Sequence, residues 1–379
     1  MGNNRSEVEK RLPRRYEPIG RLNAICPYYT MFPLEFPYRR LLRAKSGDWV
    51  LDPFCGRGTT NFAARLLGLS SVGIDSNPVA AAIASAKLVN ATSAGIVRLC
   101  RSILSAKRKP SDVPRGKFWS LCYHPRTLQE VCKLREELLQ DCSSQERIAL
   151  RGLLLGVLHG PQHKTAPSYL SNQMPRTYAT KPVPAVNFWL KRKMRPSYVS
   201  TVDLVATKAS YFFRELPRRT GGVIVQKDSR FITGLPSSAR FRWVITSPPY
   251  LGMRSYKSDQ WLRNWFLGGP PTVDYAHDGQ LSHRGQHEFA HDLSLVWRRM
   301  ALLCEPGASL IVRFGALPSV RRNPLALLKK SIVMANAGWV IRTVRRAGKA
   351  SNGRRQACQF VQSTRSAVEE MDLHAVLDT

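Results

Sequence analysis

The sequence predicts an α/β fold: a mostly parallel sheet with an antiparallel last strand and a helical insertion. Three observations predict it. Short apolar runs that end in an acid, Asp48–Asp52 and Ser71–Asp75, alternate with alanine- and leucine-rich stretches. That alternation of strand and helix is the grammar of a parallel sheet. The stretch 95–220 breaks the rhythm with longer helical patterns, and apolar runs resume from Val223 onward.

Taken in order, residues 1–45 are basic and proline-marked and read as an N-terminal arm with an aromatic cluster at Pro27–Pro33. Residues 46–94 form the first part of the sheet domain. A strand at Asp48–Asp52 runs into Pro53–Thr60, a helix follows over Asn61–Leu67, and a second strand covers Ser71–Asp75. Asn77-Pro78 opens the next helix, which reaches Val89; proline at the first helical position sacrifices no hydrogen bond. Residues 95–220 read as a mostly helical insertion, with helices at Pro125–Gln140 and Ser144–Leu158 and a Pro-, Arg- and Tyr-rich segment at Thr165–Tyr198. Residues 221–365 return to the sheet. Strands are predicted at Val223–Asp228, Phe241–Thr246, Ser309–Phe314, Trp339–Val344 and Ala357–Val361, with a helix at Pro324–Ala337. The last two strands are close enough to pair antiparallel across a basic loop. Residues 366–379 read as a C-terminal tail.

Composition narrows the function. Of 379 residues, 43% are hydrophobic, enough for a large core. There are 58 Lys+Arg against 26 Asp+Glu, a formal charge of +32. Self-repulsion on that scale destabilises a compact chain, so the charge points to a polyanionic partner, with nucleic acid first. No run approaches the about 18–20 apolar residues of a membrane span, and Met1–Tyr16 has no apolar core of a secretory signal. Met1-Gly2-Asn3-Asn4-Arg5-Ser6 fits the loose myristoylation pattern, too short a match to carry weight. The eight cysteines, at 26, 55, 100, 122, 132, 142, 304 and 358, include no C-x-x-C pair. They read as reduced thiols of a cytoplasmic protein.

Two segments carry chemistry. Asp52–Thr60 follows a strand and opens a helix, and its glycines let backbone approach a ligand at the carboxyl edge of the sheet. Gly-Lys-Ser/Thr is absent, which argues against ATP, and only Gly56-x-Gly58 is present, a weak case for a dinucleotide. S-adenosylmethionine has no phosphate to cradle. Its ammonium and sulfonium favour a carboxylate such as Asp52, and Asp75 suits a ribose diol, because a carboxylate accepts two hydroxyl hydrogen bonds. The second segment is Thr246-Ser247-Pro248-Pro249-Tyr250. Its prolines fix the backbone and remove two donors, leaving carbonyl acceptors suited to the protons of an exocyclic amine. Tyr250 offers a ring on which an extruded base could stack. Each segment alone also reads as a structural turn.

Together and in this order, the chain resembles the DNA amino-methyltransferases, which methylate cytosine N4 or adenine N6. Asp52–Thr60 and Gly73-Ile74-Asp75-Ser76-Asn77-Pro78 match the cofactor motifs, and Thr246–Tyr250 matches the catalytic motif. Pro27–Pro33 stands where the family has an aromatic motif, and Asp228 where relatives have an acid near the cofactor adenine. Tyr169–Tyr178, Gly252–Tyr256 and Asp259–Arg263 resemble a subgroup of these methylases. The resemblance implies a Rossmann-like methyltransferase sheet and S-adenosyl-L-methionine as cofactor. The cofactor-binding residues would be Tyr29, Phe32, Asp52, Pro53, Phe54, Gly56, Gly58, Thr59, Thr60, Asp75, Asn77 and Asp228. Ser247, Pro248, Pro249 and Tyr250 would be catalytic, and the segment between the motifs would read the target. Ser247 in place of Asp or Asn favours cytosine N4; adenine N6 would share every motif, and an RNA methyltransferase is the more distant alternative. Double-stranded DNA is the implied partner, in the cytoplasm at the nucleoid, with no membrane partner. A restriction or defence-system partner fits such an enzyme.

Neither a metal nor a covalent cysteine is expected in the transfer, since a sulfonium methyl is already electrophilic. His287-Glu288-Phe289-Ala290-His291, with His283, spells H-E-x-x-H, but short motifs match often by chance. It reads as a polar helix face. The basic runs Lys107–Lys109, Lys191–Arg195, Arg321-Arg322 and Arg342–Arg355 are candidate phosphate contacts.

Overall fold

The computed structural model describes residues 11–14, 17–28, 32–163, 166–175, 181–235, 239–252, 258–275, 280–315, 323–349 and 369–378. Met1–Ser6, Arg321-Arg322 and the strand expected at Ala357–Val361 lie outside them.

Two short helices, α1 (Pro18–Arg21) and α2 (Glu35–Leu41), precede β1 (Trp49–Asp52), α3 (Thr59–Leu66), β2 (Ser70–Asp75) and α4 (Pro78–Ala86). Six helices then follow among the described residues: α5 (Ser93–Ser105), α6 (Lys117–Cys122), α7 (Pro125–Gln140), α8 (Gln145–Val157), α9 (Pro182–Lys191) and α10 (Thr201–Phe212). Their starts are chemically marked. Thr92, Ser144 and Ser200 each accept a backbone N–H three residues on, the N-cap bond that satisfies an otherwise orphaned donor. The chain continues through β3 (Gly222–Gln226), β4 (Phe241–Thr246), α11 (Trp261–Phe266), α12 (Gln286–Leu303), β5 (Cys304–Gly315), α13 (Pro324–Ala335), β6 (Trp339–Lys349) and β7 (Glu369–Leu377).

The seven strands form one sheet in the order β3-β2-β1-β4-β5-β7-β6. The first five pair in parallel, and β7 runs antiparallel between β5 and β6. This is the Rossmann-like α/β class the sequence predicts. Crossovers from β1 through β3 step one way and those from β4 through β6 step the other. Right-handed connections therefore send the two sets of helices to opposite faces. One face buries Phe36, Leu41, Ala63 and Ala64 of α2 and α3 against Val50, Ile245 and Ile311. The other buries Phe289, Leu293 and Trp297 of α12 and Leu328 of α13 against Leu51, Val244, Leu310 and Val312. The helices α5–α10 pack with α4 and with Trp261 and Trp265 of α11 in a separate apolar cluster.

One expectation changes. The antiparallel partner of β6 is β7, inside the segment read as a C-terminal tail. Its alternation is present in Met371, Leu373, Ala375 and Leu377, but Glu370, Asp372 and His374 fill the opposite face and disguise an interior strand as a polar tail. Asp372 is tolerated there because Arg313, directly opposite on β5, donates two hydrogen bonds to it at 2.8 and 2.9 Å. The N-terminal arm packs onto both helices and sheet: Leu22, Ile25 and Cys26 are buried in the helical cluster, and Phe36, Tyr38 and Leu41 in the sheet core. Among the described residues no helix is long and apolar enough to cross a membrane.

Candidate active site

The step direction reverses between β1 and β4, and the crevice at such a switch point is where ligands bind in open α/β sheets. Asp52 ends β1 and Thr246 ends β4. The Thr246 hydroxyl donates to Asp52 Oδ1 at 2.6 Å, and the Phe54 amide donates to the same oxygen at 3.1 Å. The other oxygen, Oδ2, is buried with no hydrogen-bond partner. An unpaired buried acceptor costs about 1–3 kcal/mol, so this atom is a candidate acceptor for a ligand's donor. Burial, opposed by those hydrogen bonds, pushes the Asp52 carboxyl up to about 6.

The turn after β1 is built around the end of β2. Asp75 accepts the Gly56 amide at 2.9 Å on one oxygen and the Asn77 amide at 2.8 Å on the other. Burial pushes its carboxyl up to about 6 as well. Gly56 has φ +51° with nothing within 4 Å of where a side chain would start, so the loop leaves open space beside its backbone. Gly58, at φ +74°, is required for a different reason: a Cβ there would sit 2.8 Å from that of Ala84 on α4. Thr59 and Thr60 begin α3 and are buried, and the Thr60 hydroxyl donates to the Ile245 carbonyl of β4 at 3.1 Å. Pro53 is fixed from the far side, where the Ser229 hydroxyl donates to its carbonyl. The Phe54 ring lies edge-on to Trp297 at 6.4 Å.

Asn77 caps α4 by accepting the Val79 amide at 2.9 Å, and its side-chain amide donates to the Tyr28 hydroxyl at 3.2 Å. Tyr28 was not among the expected residues, although its neighbour Tyr29 was; Tyr29 lies outside the described residues. Burial, then the nearby Asp75 charge, raises the Tyr28 phenol well above its usual value. The segment carrying Tyr28 is held by two buried arginines. Arg57 donates to the Cys26 carbonyl at 3.2 Å, and Arg263 donates to the Pro27 carbonyl at 2.8 Å and the Leu155 carbonyl at 2.9 Å. Phe32 is half-buried, edge-on to Phe36 at 5.4 Å.

Asp228 sits beside Ser229 and so near the glycine loop, but its carboxylate is committed to Arg230 at 2.6 Å, which also pairs with Asp292 at 2.9 Å. Ser247 and Pro249 are half-buried, and Pro248 is buried. Tyr250 is only 9% exposed. Its ring lies edge-on to Phe314 at 5.5 Å and its hydroxyl donates to Glu370 at 2.9 Å. The end of β7 thus supports Tyr250. Sequence reading missed Glu370 because it lay in the supposed tail.

His287, Glu288 and His291 face solvent on α12, while His283 accepts the Gly252 amide at 3.2 Å. Among the described residues no group of three or more His, Cys, Asp or Glu side chains is placed to hold a metal ion.

Both site carboxyls hold protons near pH 5 that the unfolded chain has released. Their contribution to folding is therefore full below about pH 4 and lost as pH rises through about 6. Asp52→Asn is expected to remove part of that loss, read as a smaller fall in denaturation midpoint between those limits. An identical pH dependence in the variant would show that Asp52 ionises freely.

Residues 6–86, which hold both expected cofactor motifs, match the family model described as DNA methylase. The chain is 54% identical over 33 residues to the type II methyltransferase M.BsoBI of Geobacillus stearothermophilus, covering 9% of this chain and 6% of that protein. It is 47% identical over 45 residues to the type II methyltransferase M.MthZI of Methanothermobacter thermautotrophicus, covering 12% and 13%. The matched stretches thus span only a small part of either relative. Among solved structures, the rRNA methyltransferase AviRa from Streptomyces viridochromogenes overlaps with a TM-score of 0.36 at 12% identity, over 93% of this chain and 88% of that one. The family model and the two type II methyltransferases bear out the resemblance to the DNA amino-methyltransferases. The expected catalytic motif, Thr246–Tyr250, lies outside the segment matched by the family model.

Proposed function

We propose that the protein is an S-adenosylmethionine-dependent DNA methyltransferase acting on an exocyclic amine, with cytosine N4 favoured by Ser247. The observation that carries this reading is the 2.6 Å bond between Thr246 and Asp52. It joins the first residue of the expected cofactor motif to the first residue of the expected catalytic motif in one crevice.

The residues fit the cofactor. The unpartnered Asp52 Oδ2 is an acceptor for an ammonium, and the space beside Gly56 admits a ligand against bare backbone. Asp75 shapes the loop through its two amide bonds and keeps lone pairs for ribose hydroxyls. Asp228, paired with Arg230, supports the Pro53 side of the loop through Ser229. The cofactor supplies an electrophilic methyl. The protein's part is to orient the amine, with the Ser247 hydroxyl and Pro248 carbonyl accepting its protons and Tyr250 holding the extruded base. Catalysis of this kind is mainly proximity and orientation. The +32 charge supports double-stranded DNA as the substrate, and a restriction or defence setting suits a site-specific methylase.

Because Asp52 binds a cation only when ionised, cofactor affinity is expected to rise from about pH 5 to about pH 7. Calorimetric titration tests this, and Asp52→Asn should flatten the rise. Transfer of label from methyl-labelled cofactor to duplex DNA tests the reaction; label entering structured RNA and not DNA would favour the RNA alternative.

A further inference from the structure

On the α2 face of the sheet, a cavity of about 460 Å³ is lined by Phe36, Arg39, Arg40, Arg43, Arg313 and Asp372, with Glu35 also in its lining. Four guanidiniums meet two carboxylates. Asp372 takes two bonds from Arg313 and a longer contact from Arg40 at 3.4 Å, and Glu35 takes Arg39 at 2.5 Å. Arg313 is further fixed with its guanidinium carbon 3.9 Å from the centroid of the Phe36 ring. Arg43 is exposed and has no anionic partner among the described residues.

The surroundings add positive charge. Arg345 on β6 is aligned with Asp372 from the side opposite Arg313, and it too is exposed. Burial, then the nearby Arg40, Arg43 and Arg342, lowers the His374 imidazole's affinity for a proton below its usual value. Guanidiniums crowded in this way repel one another, and an entering anion relieves that repulsion while accepting charge-assisted bonds. The cavity is larger than a single ion needs, within the range that holds a nucleotide-sized group.

Its place in the sheet suggests the source of the anion. Thr246 pairs with Val312, so Arg313 lies level with Ser247 on the next strand. We propose that this arginine-lined cavity is a phosphate seat for the DNA strand that carries the target base. The proposal rests on the DNA-methyltransferase reading and deepens it: the strand is held beside the catalytic motif from the α2 face of the sheet.

The test is Arg43→Ala and Arg43→Glu, since this side chain is exposed, has no anionic partner among the described residues and lies outside the proposed cofactor crevice. Duplex affinity is measured by fluorescence anisotropy across a salt series, with cofactor affinity measured in parallel. One phosphate contact contributes about 0.9 to the slope of log affinity against log salt. The alanine variant should lose a slope of about one, uniformly across duplex sequences; the glutamate variant should bind more weakly still, and cofactor affinity should not change. A wild-type slope in both variants overturns the seat while leaving the methyltransferase reading intact. Unchanged duplex binding with loss of saturable mononucleotide binding would make the cavity a free-nucleotide site and also overturn it. A wild-type protein that neither binds nor methylates duplex DNA would remove the underlying reading and the seat with it.

Discussion

Tyr250→Ala is expected to keep the fold and cofactor affinity yet lose most turnover. The proposed stacking on an extruded base is worth about 1–3 kcal/mol, and misorientation of the amine can add a factor of about 10². The geometry sharpens the experiment. Tyr250 is pinned by Phe314 at 5.5 Å and by Glu370 at 2.9 Å, so alanine removes the ring and both restraints. Tyr250→Phe removes only the hydroxyl and leaves Glu370 without that donor. It should therefore fall between wild type and alanine in kcat, with cofactor Kd unchanged. Full turnover in folded Tyr250→Ala would exclude this tyrosine from the mechanism.

Asp75→Ala is expected to cost cofactor affinity by about 10²-fold or more. Both carboxylate oxygens receive backbone amides, Gly56 at 2.9 Å and Asn77 at 2.8 Å, and hydrogen bonds to a charged group contribute about 1.5–3 kcal/mol each. The substitution thus loosens the glycine loop as well as removing the proposed ribose acceptor. Asp75→Asn keeps an acceptor for one amide and should lose less. Calorimetry on the folded variants reads the effect, and unchanged affinity in Asp75→Ala would contradict the assignment.

The legible parts of the fold are those whose signals are local. Buried parallel strands read as nearly continuous apolar runs, and β1, β2 and β4 stand within a residue or so of their expected limits. Asn77-Pro78 announces a helix start through cap chemistry that the structure contains. What was illegible depends on partners far away in sequence. β7 looks polar until Arg313 is seen opposite Asp372, 59 residues earlier. Glu370 gains its meaning from a tyrosine 120 residues before it. Tyr28 is drawn into the site by Asn77, and Arg263 reaches Pro27 across 236 residues. Side-chain pairings of that span leave no periodicity in the chain.

Nucleoside mass spectrometry of duplex DNA treated with the purified protein and S-adenosylmethionine tests the central claim most directly. The account predicts N4-methylcytosine, formed without added metal and lost in Tyr250→Ala. N6-methyladenine would move the target base while keeping transfer to an exocyclic amine. DNA carrying 5-methylcytosine, or no methylated nucleoside at all, would contradict the account.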